Sequence, residues 1–147
     1  MDPQCYILVG CPGAGKTTWL SNNWTADIAS SDYYIDMLAS SAKKTYSEVF
    51  KEAYPRAEQM FLEDITYAAL HNRDIAIDRT NMTLKGRARI MSMLPKHEFT
   101  AVVFPRPQNL AERLSSRPGK VITMTMVNRM PFQMPSLDEG FKEIIRL

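Results

Sequence analysis

A glycine-rich segment follows the first apolar run of the chain and has the composition of a phosphate-binding loop. Residues 5–9 are apolar, and the GCPGAGKTT after them fits the pattern G-x-x-x-x-G-K-[ST]. Glycines let the backbone wrap closely around an anion, so that amide groups and the next helix start face it. The lysine of this pattern contacts the β- and γ-phosphates, and the following hydroxyl binds Mg²⁺. We therefore predict an ATP site, with Lys16 catalytic and Thr17 a magnesium ligand, formed by Gly10, Cys11, Pro12, Gly13, Ala14, Gly15, Lys16, Thr17 and Thr18.

Two aspartates follow later predicted strands, and both suit phosphoryl transfer. Open α/β sheets bind their ligands at the carboxyl ends of the strands. Asp32 comes after the second predicted strand, where it can accept the proton of an attacking hydroxyl; a helix N-cap is the other role open to it. Asp78 ends the third predicted strand. It is the second predicted magnesium ligand, and a surface turn is the competing interpretation.

The side chains beside these two strand ends are predicted to contact the acceptor substrate. The rings of Tyr33 and Tyr34 can stack on a base or pack in the core. For Asn81, an Asx turn is as open as a substrate contact. The predicted substrate-binding set is Asp32, Tyr33, Tyr34, Asp78, Arg79, Thr80 and Asn81.

A pair of arginines precedes a helix-breaking Pro-Gly sequence. Arg113 and Arg117 are four residues apart, which places them on one face of a helix. Guanidinium groups on a mobile segment can stabilise the charge that develops on a transferring phosphoryl group. We predict a cationic lid over ATP at residues 107–131, with both arginines catalytic. A solvated face in which they pair with Glu112 is the alternative.

Turn and capping signals divide the chain into the elements that must position these residues. Strands are predicted at residues 4–9, 27–31, 74–78 and 99–104. Helices are predicted at residues 15–22, 32–41, 45–68, 83–94, 109–117 and 121–130, and after residue 136. Pro55 is expected to kink or restart the long helix.

Alternating strands and helices predict an α/β fold. The phosphate loop specifies a three-layer P-loop NTPase fold, in which a central parallel sheet of about four to five strands is flanked by helices and carries a helical lid. We expect residues 1–147 to form a single kinase domain.

Composition excludes several classes of protein. The 147 residues are 45% hydrophobic and carry a formal net charge of +2, without the strong basic excess typical of many nucleic-acid-binding proteins. No apolar run is long enough to span a bilayer, so we expect a soluble, cytoplasmic protein without a membrane partner. Cys5 and Cys11 are expected to be free thiols, and the Cys and His residues show no metal-binding spacing.

By its motifs the chain resembles the 5′-hydroxyl polynucleotide kinases of phage and repair type, over most of its length. GCPGAGKTTW matches their phosphate loop, SSDYY their Asp-containing strand-end motif, and DRTNMT the segment after the third strand. The resemblance implies Asp32 as general base, Lys16 and Thr17 as ATP and Mg²⁺ residues, and Arg113 with Arg117 as the lid. It also implies a nucleic-acid acceptor, with DNA favoured.

One departure from that family concerns the acceptor. Ile35 stands where phage-type members carry an arginine that positions the aspartate and the acceptor's phosphate. The 5′ end of a chain therefore competes with a modified base, internal 5-hydroxymethyluracil, beside which an apolar Ile35 would lie. A small-molecule kinase and a non-catalytic nucleotide-binding regulatory module are the further alternatives.

Overall fold

A five-stranded parallel sheet forms the centre of the protein, in a computed structural model that describes residues 1–147. The strand order is β2-β3-β1-β4-β5, and each neighbouring pair is parallel. The strands are β1 (Gln4–Val9), β2 (Asp27–Ser30), β3 (Ile75–Asp78), β4 (Glu98–Val103) and β5 (Phe141–Arg146). The predicted α/β fold with a parallel sheet is confirmed.

Helices connect the strands and cover both faces of the sheet. They are α1 (Lys16–Asn23), α2 (Ser31–Ala42), α3 (Tyr46–His71), α4 (Leu84–Met93), α5 (Leu110–Ser115) and α6 (Met124–Asn128). A 3-10 turn at Leu137–Glu139 precedes β5. None of these helices has both the length and the apolar composition needed to cross a membrane.

Strand β1 lies in the middle of the sheet because its side chains are apolar on both faces. Ile7 is fully buried in the cluster that contains Phe61 and Ile65 of α3. Leu8 points to the opposite face and packs with Leu20 of α1. This alternation builds the layers on either side of the strand and fixes the loop after Val9 at the carboxyl end of the sheet.

The long helix α3 begins at the predicted capping box and is not interrupted at Pro55. The Thr45 hydroxyl accepts a hydrogen bond from the backbone amide of Glu48, and the Glu48 carboxylate accepts one from the amide of Thr45. Pro55 lies inside a single 26-residue helix, so the predicted restart is wrong. Buried residues on one face, among them Ala57 and Phe61, hold the helix together through this point.

The predicted C-terminal helix is also wrong, because residues 141–146 form the edge strand β5. The capping bond itself forms, since the Ser136 amide donates to Glu139 at 2.9 Å. Gly140, with φ of 115°, then ends the turn after three residues. The segment after it contains Ile144 and Ile145, and it pairs with the free edge of β4.

Candidate active site

The loop between β1 and α1 has the backbone that the phosphate pattern requires. Gly13 and Gly15 have φ angles of 83° and 100°, in the left-handed region that favours glycine. A Cβ on Gly10 would lie 2.9 Å from the Cβ of Phe104, so the loop packs tightly on its support. Helix α1 starts at Lys16 with no side-chain cap and no acidic residue in its first turn. Its first amides are therefore available to an anion.

Lys16 is held by the loop itself. Its Nζ donates hydrogen bonds of 2.8 Å to the carbonyl oxygens of Gly10 and Cys11. Burial lowers the pKa of Lys16 to about 8, with the nearby Asp78 carboxylate opposing the shift. The lysine thus holds a desolvated positive charge at the loop, where a phosphate group would compensate it.

The remaining loop residues divide between core and cleft. Cys11 is buried and Ala14 packs against the core, so either residue can reach a nucleotide only through its backbone. Pro12, Thr17 and Thr18 line the cleft above the loop.

Thr17 and Asp78 lie together, as predicted for magnesium ligands. The Thr17 hydroxyl is 3.4 Å from a carboxylate oxygen of Asp78. Burial raises the pKa of Asp78, Lys16 lowers it and Asp32 raises it, and the net result is above the ordinary value. A hydroxyl and a carboxylate are oxygen ligands suited to Mg²⁺, and no group of three His, Cys, Asp or Glu side chains could hold a metal alone. The donor set therefore fits an ion held partly by nucleotide phosphates.

Asp32 lies in the first turn of α2 and is not its N-cap. The cap is Ser30, whose hydroxyl accepts a hydrogen bond from the amide of Tyr33. The Asp32 side chain is 53% exposed, and its two oxygens accept bonds from the Tyr46 hydroxyl at 2.6 Å and from Lys120 Nζ at 2.8 Å. Desolvation of the covered part of this side chain raises the pKa of Asp32, but Lys120 and these hydrogen bonds outweigh that effect, so the pKa falls below its usual value. Asp32 is ionised at neutral pH, as a proton acceptor must be.

Lys120 and Tyr46 were not among the predicted site residues. Tyr46 stands next to the recognised capping residue Thr45, and Lys120 follows the recognised Pro-Gly break. Neither signal shows that the two segments meet at Asp32. That contact depends on the tertiary fold.

Two predicted substrate residues, Arg79 and Asn81, have partners within the protein. Arg79 forms an ion pair with Glu58 of α3, and its guanidinium carbon lies 3.6 Å from the Phe61 ring centroid. Asn81 is buried, has a φ of 47°, and donates its amide to the Leu8 carbonyl at 2.7 Å. Both side chains therefore make bracing contacts; Arg79 also lines the cleft, whereas Asn81 does not.

The other residues predicted to contact the acceptor substrate differ in how exposed their side chains are. Thr80 lines the cleft, and its carbonyl accepts a bond from the Gly10 amide at 3.0 Å. Tyr33 is exposed to the cleft, whereas Tyr34 packs on a core cluster and donates to Asp64 at 2.5 Å. Tyr33 is the better placed of the two tyrosines for stacking.

The arginines of the predicted lid both line the cleft but do not share a helix face. Helix α5 ends at Ser115, so Arg117 belongs to the turn after it. Arg113 Nη1 donates to the carbonyl of Gly13 at 3.3 Å, and the predicted alternative pairing with Glu112 does not occur. The predicted lid helices shorten to α5 and α6 around the Pro118-Gly119 turn.

These groups surround one cleft of about 1880 Å³ at the carboxyl end of the sheet. The phosphate loop, Arg113, Asp32 and the start of α3 all line it. A parallel sheet with this loop after its first strand defines a P-loop kinase-like domain.

Comparison with known proteins gives the family. A family model described as an AAA domain matches residues 6–130, and the chain belongs to that family. Among solved structures, an inferred kinase from Chloroflexus aurantiacus J-10-fl is 15% identical with a TM-score of 0.73. A sugar kinase from Janibacter sp. HTCC2649 is 14% identical with a TM-score of 0.61. In both comparisons the match covers 99% of this chain and 85% of the other. At these identities the similarity shows a shared fold.

Proposed function

We propose that the protein is an ATP- and Mg²⁺-dependent kinase that transfers the γ-phosphoryl group to a hydroxyl of nucleic acid, with a 5′-hydroxyl end, most simply of DNA, as acceptor. One observation carries the choice of acceptor. The wall of the cleft beside Asp32 presents exposed aromatic rings, which stack on bases.

The proposed phosphoryl transfer is based on the charged side chains that line the cleft. In the proposed reaction the acceptor oxygen bonds to the γ-phosphorus, the bond to the bridging oxygen breaks, and ADP leaves. Asp32 takes the hydroxyl proton, and Lys16 and the lid arginines Arg113 and Arg117 stabilise the charge on the phosphoryl oxygens. Thr17 and Asp78 would hold Mg²⁺, which supplies further positive charge at the phosphates when bound.

The aromatic wall continues from the predicted general base, Asp32, along helix α3. Tyr46, which bonds to Asp32, is followed at intervals of four residues by Phe50 and Tyr54. Successive ring centroids are 5.6 Å apart, and the last two side chains are 41% and 44% exposed. A row of rings leading away from the acceptor site suits a polymer of bases better than a single small metabolite.

The structure weakens the case for a modified base as acceptor. That alternative depended on an apolar Ile35 beside an extruded base. Ile35 is 1% exposed and packs with Ala39, Val49 and Ala53. Ile35 also borders the cleft, but so little of its surface is exposed that it offers a base almost no contact, so the 5′ end remains the proposed acceptor. The 5-hydroxymethyluracil base becomes an outcome of the test.

In the test, the protein and γ-labelled ATP are incubated with three acceptors in separate reactions. These are a single-stranded oligonucleotide with a 5′ hydroxyl, a duplex with 5′-phosphorylated ends and internal 5-hydroxymethyluracil, and a sugar. We expect label in the first alone. Label confined to the duplex or to the sugar would replace the proposed acceptor, and ADP formation in none would favour a nucleotide-binding module.

The aromatic wall has a matched control on the same helix. The double variant Phe50→Ala, Tyr54→Ala should raise KM for the oligonucleotide about tenfold or more, because stacking contributes about 1–3 kcal/mol per base. Tyr67 is equally exposed but lies outside the cleft, so Tyr67→Ala should leave KM unchanged. Equal effects of the two variants would remove the stacking argument.

A further inference from the structure

We propose that Lys120 is a positioning residue for phosphoryl transfer: the turn at residues 117–121, here called the lid turn, docks on the start of α3 and there presents Lys120 to Asp32. This inference rests on the proposed function, because it takes Asp32 as the group that accepts the proton. It adds a residue and a coupling that neither the sequence motifs nor the family match supplies.

The lid turn is fixed to α3 by contacts on both sides of Lys120. The Ser47 amide donates to the Gly119 carbonyl at 2.9 Å, and the Val121 amide donates to the Ser47 hydroxyl at 2.8 Å. Gly119 has a φ of 72°, and a Cβ there would lie 2.6 Å from the Cβ of Thr45. Only glycine fits this approach without displacement. The lid turn therefore packs closely against the start of α3.

The docked Lys120 side chain forms one ion pair, with Asp32. It is 14% exposed, its Nζ lies 2.8 Å from Asp32, and the same nitrogen is 4.4 Å from the Tyr46 ring centroid. A largely buried ammonium costs free energy unless it is paired, so the Asp32 carboxylate and the ring face together hold it. In return, Lys120 and the Tyr46 hydroxyl each bind one carboxylate oxygen and fix its orientation.

The same connection also reaches the phosphate loop. Arg113, on the N-terminal side of the lid turn, donates to the carbonyl of Gly13, and Lys120 on the other side bonds to Asp32. One short segment thus contacts both the phosphate loop and the predicted general base Asp32. Docking of the lid turn on α3 therefore also places Lys120 against the predicted general base, Asp32.

The charges around Asp32 give this proposal a pH signature. The groups that interact with it are Lys120, Tyr46, Lys16, Asp78 and Asp36, and Arg117 lies near Tyr46 and Asp36. Lys120 is the nearest cation, and burial opposes ionisation of the carboxyl. Without Lys120, burial and the neighbouring carboxylates remain, so the pKa of Asp32 rises. The acid limb of kcat/KM against pH then moves to higher pH.

The experiment compares Lys120→Met with Lys120→Arg. We expect Lys120→Met to lower kcat at least tenfold at neutral pH, to leave the Kd for ATP unchanged, and to move the acid limb upward. Lys120→Arg should keep most of the wild-type kcat and an acid limb close to that of the wild type. Lys85→Met removes an exposed charge on α4, outside the cleft, and should change neither quantity. A wild-type kcat and acid limb in Lys120→Met would overturn the proposal.

A second measurement does not depend on turnover. The carboxyl carbon resonance of Asp32, assigned by its loss in Asp32→Asn, should titrate at higher pH in Lys120→Met than in the wild type. Ser47→Ala, which removes one docking bond, should shift it in the same direction. If the wild type transfers no phosphate, the proposed function fails, and the titration still tests the contact. Identical titrations in wild type and Lys120→Met would refute the positioning of Asp32 by Lys120.

Discussion

Lys16 shows how folding changes the chemistry of a single residue. In the sequence it is a loop lysine next to glycines. In the structure it is desolvated, its ammonium is bonded to two loop carbonyls, and its pKa falls to about 8. Its charge is therefore sensitive to pH just above neutrality, which an exposed lysine's is not.

This pKa predicts how ATP binding depends on pH. ATP favours the protonated lysine, so its affinity should fall as pH rises above about 8, where the unliganded protein loses the Lys16 proton. Titration calorimetry at a series of pH values between neutrality and pH 10 measures this. Lys16→Met should bind ATP weakly, without this pH limb. A flat wild-type affinity across the series would show that the lysine is not desolvated.

The sequence predicted single residues well where their surroundings are local. The phosphate loop and the strand-end aspartates are defined by neighbours in the chain, and the structure brings them together around one cleft. Arg79, Asn81 and Lys120 depend on partners far away in sequence, namely Glu58, Leu8 and Asp32. No local pattern contains those pairings. The catalytic and binding roles of the site residues stay predictions.

At the scale of elements, the connection from α5 to α6 forms one wall of the cleft. The sequence predicts two longer helices there, but the Pro118-Gly119 turn shortens them. In this connection Arg113 bonds to the phosphate loop and Lys120 bonds to Asp32. The lid in this state bridges the two halves of the site.

Removing the arginine on the nucleotide side should affect turnover more than binding. Arg113→Ala is expected to lower kcat by about 10³-fold, because a guanidinium near the transferring group acts mainly in the transition state. The Kd for ATP should change much less. Steady-state kinetics with equilibrium ATP binding separates the two effects, and Arg129→Ala, at the exposed residue directly after α6, serves as a control. Equal losses in kcat and in ATP affinity would reduce Arg113 to a ground-state contact.

At the scale of the whole molecule, a buried ion pair connects the C-terminal segment to the rest. Arg87 of α4 is 0% exposed, and its guanidinium forms two hydrogen bonds with Glu139 at 2.8 and 3.1 Å. Glu139 belongs to the turn that introduces β5. Burial raises the pKa of Glu139, but Arg87 and the Ser136 amide lower it below its ordinary value overall.

Breaking this pair should destabilise the protein in a pH-dependent way. Glu139→Gln leaves a buried guanidinium without its countercharge, which costs about 3–5 kcal/mol. Because the folded pKa of Glu139 is lowered, the stabilisation is present above the unfolded value of 4.5 and is lost as pH falls through the folded value. Urea unfolding at neutral and acidic pH measures both. Equal unfolding free energies of variant and wild type at neutral pH would contradict this.

The same region shows the limit of predicting a fold from sequence. Strands in the centre of a parallel sheet can be predicted from sequence, because burial of both faces makes them continuously apolar, as in β1. An edge strand such as β5 cannot be predicted in this way, because its pairing depends on which neighbouring strand has a free edge. The capping box at Ser136 and Glu139 forms as predicted, but it begins a 3-10 turn in place of a helix, and the next residues pair with β4.

The central claim is that this cleft transfers phosphate from ATP to a nucleic-acid hydroxyl, with Asp32 taking the proton. Single-turnover quenched-flow kinetics tests it most directly, with γ-labelled ATP bound in advance and a 5′-hydroxyl oligonucleotide added. We expect the wild type to label the oligonucleotide in one exponential phase. We expect Asp32→Asn to be slower by at least about 10²-fold with an unchanged Kd for ATP, because general-base catalysis contributes about 10²–10⁴-fold. Labelling by Asp32→Asn at the wild-type rate, or no labelling by the wild type, would contradict the claim.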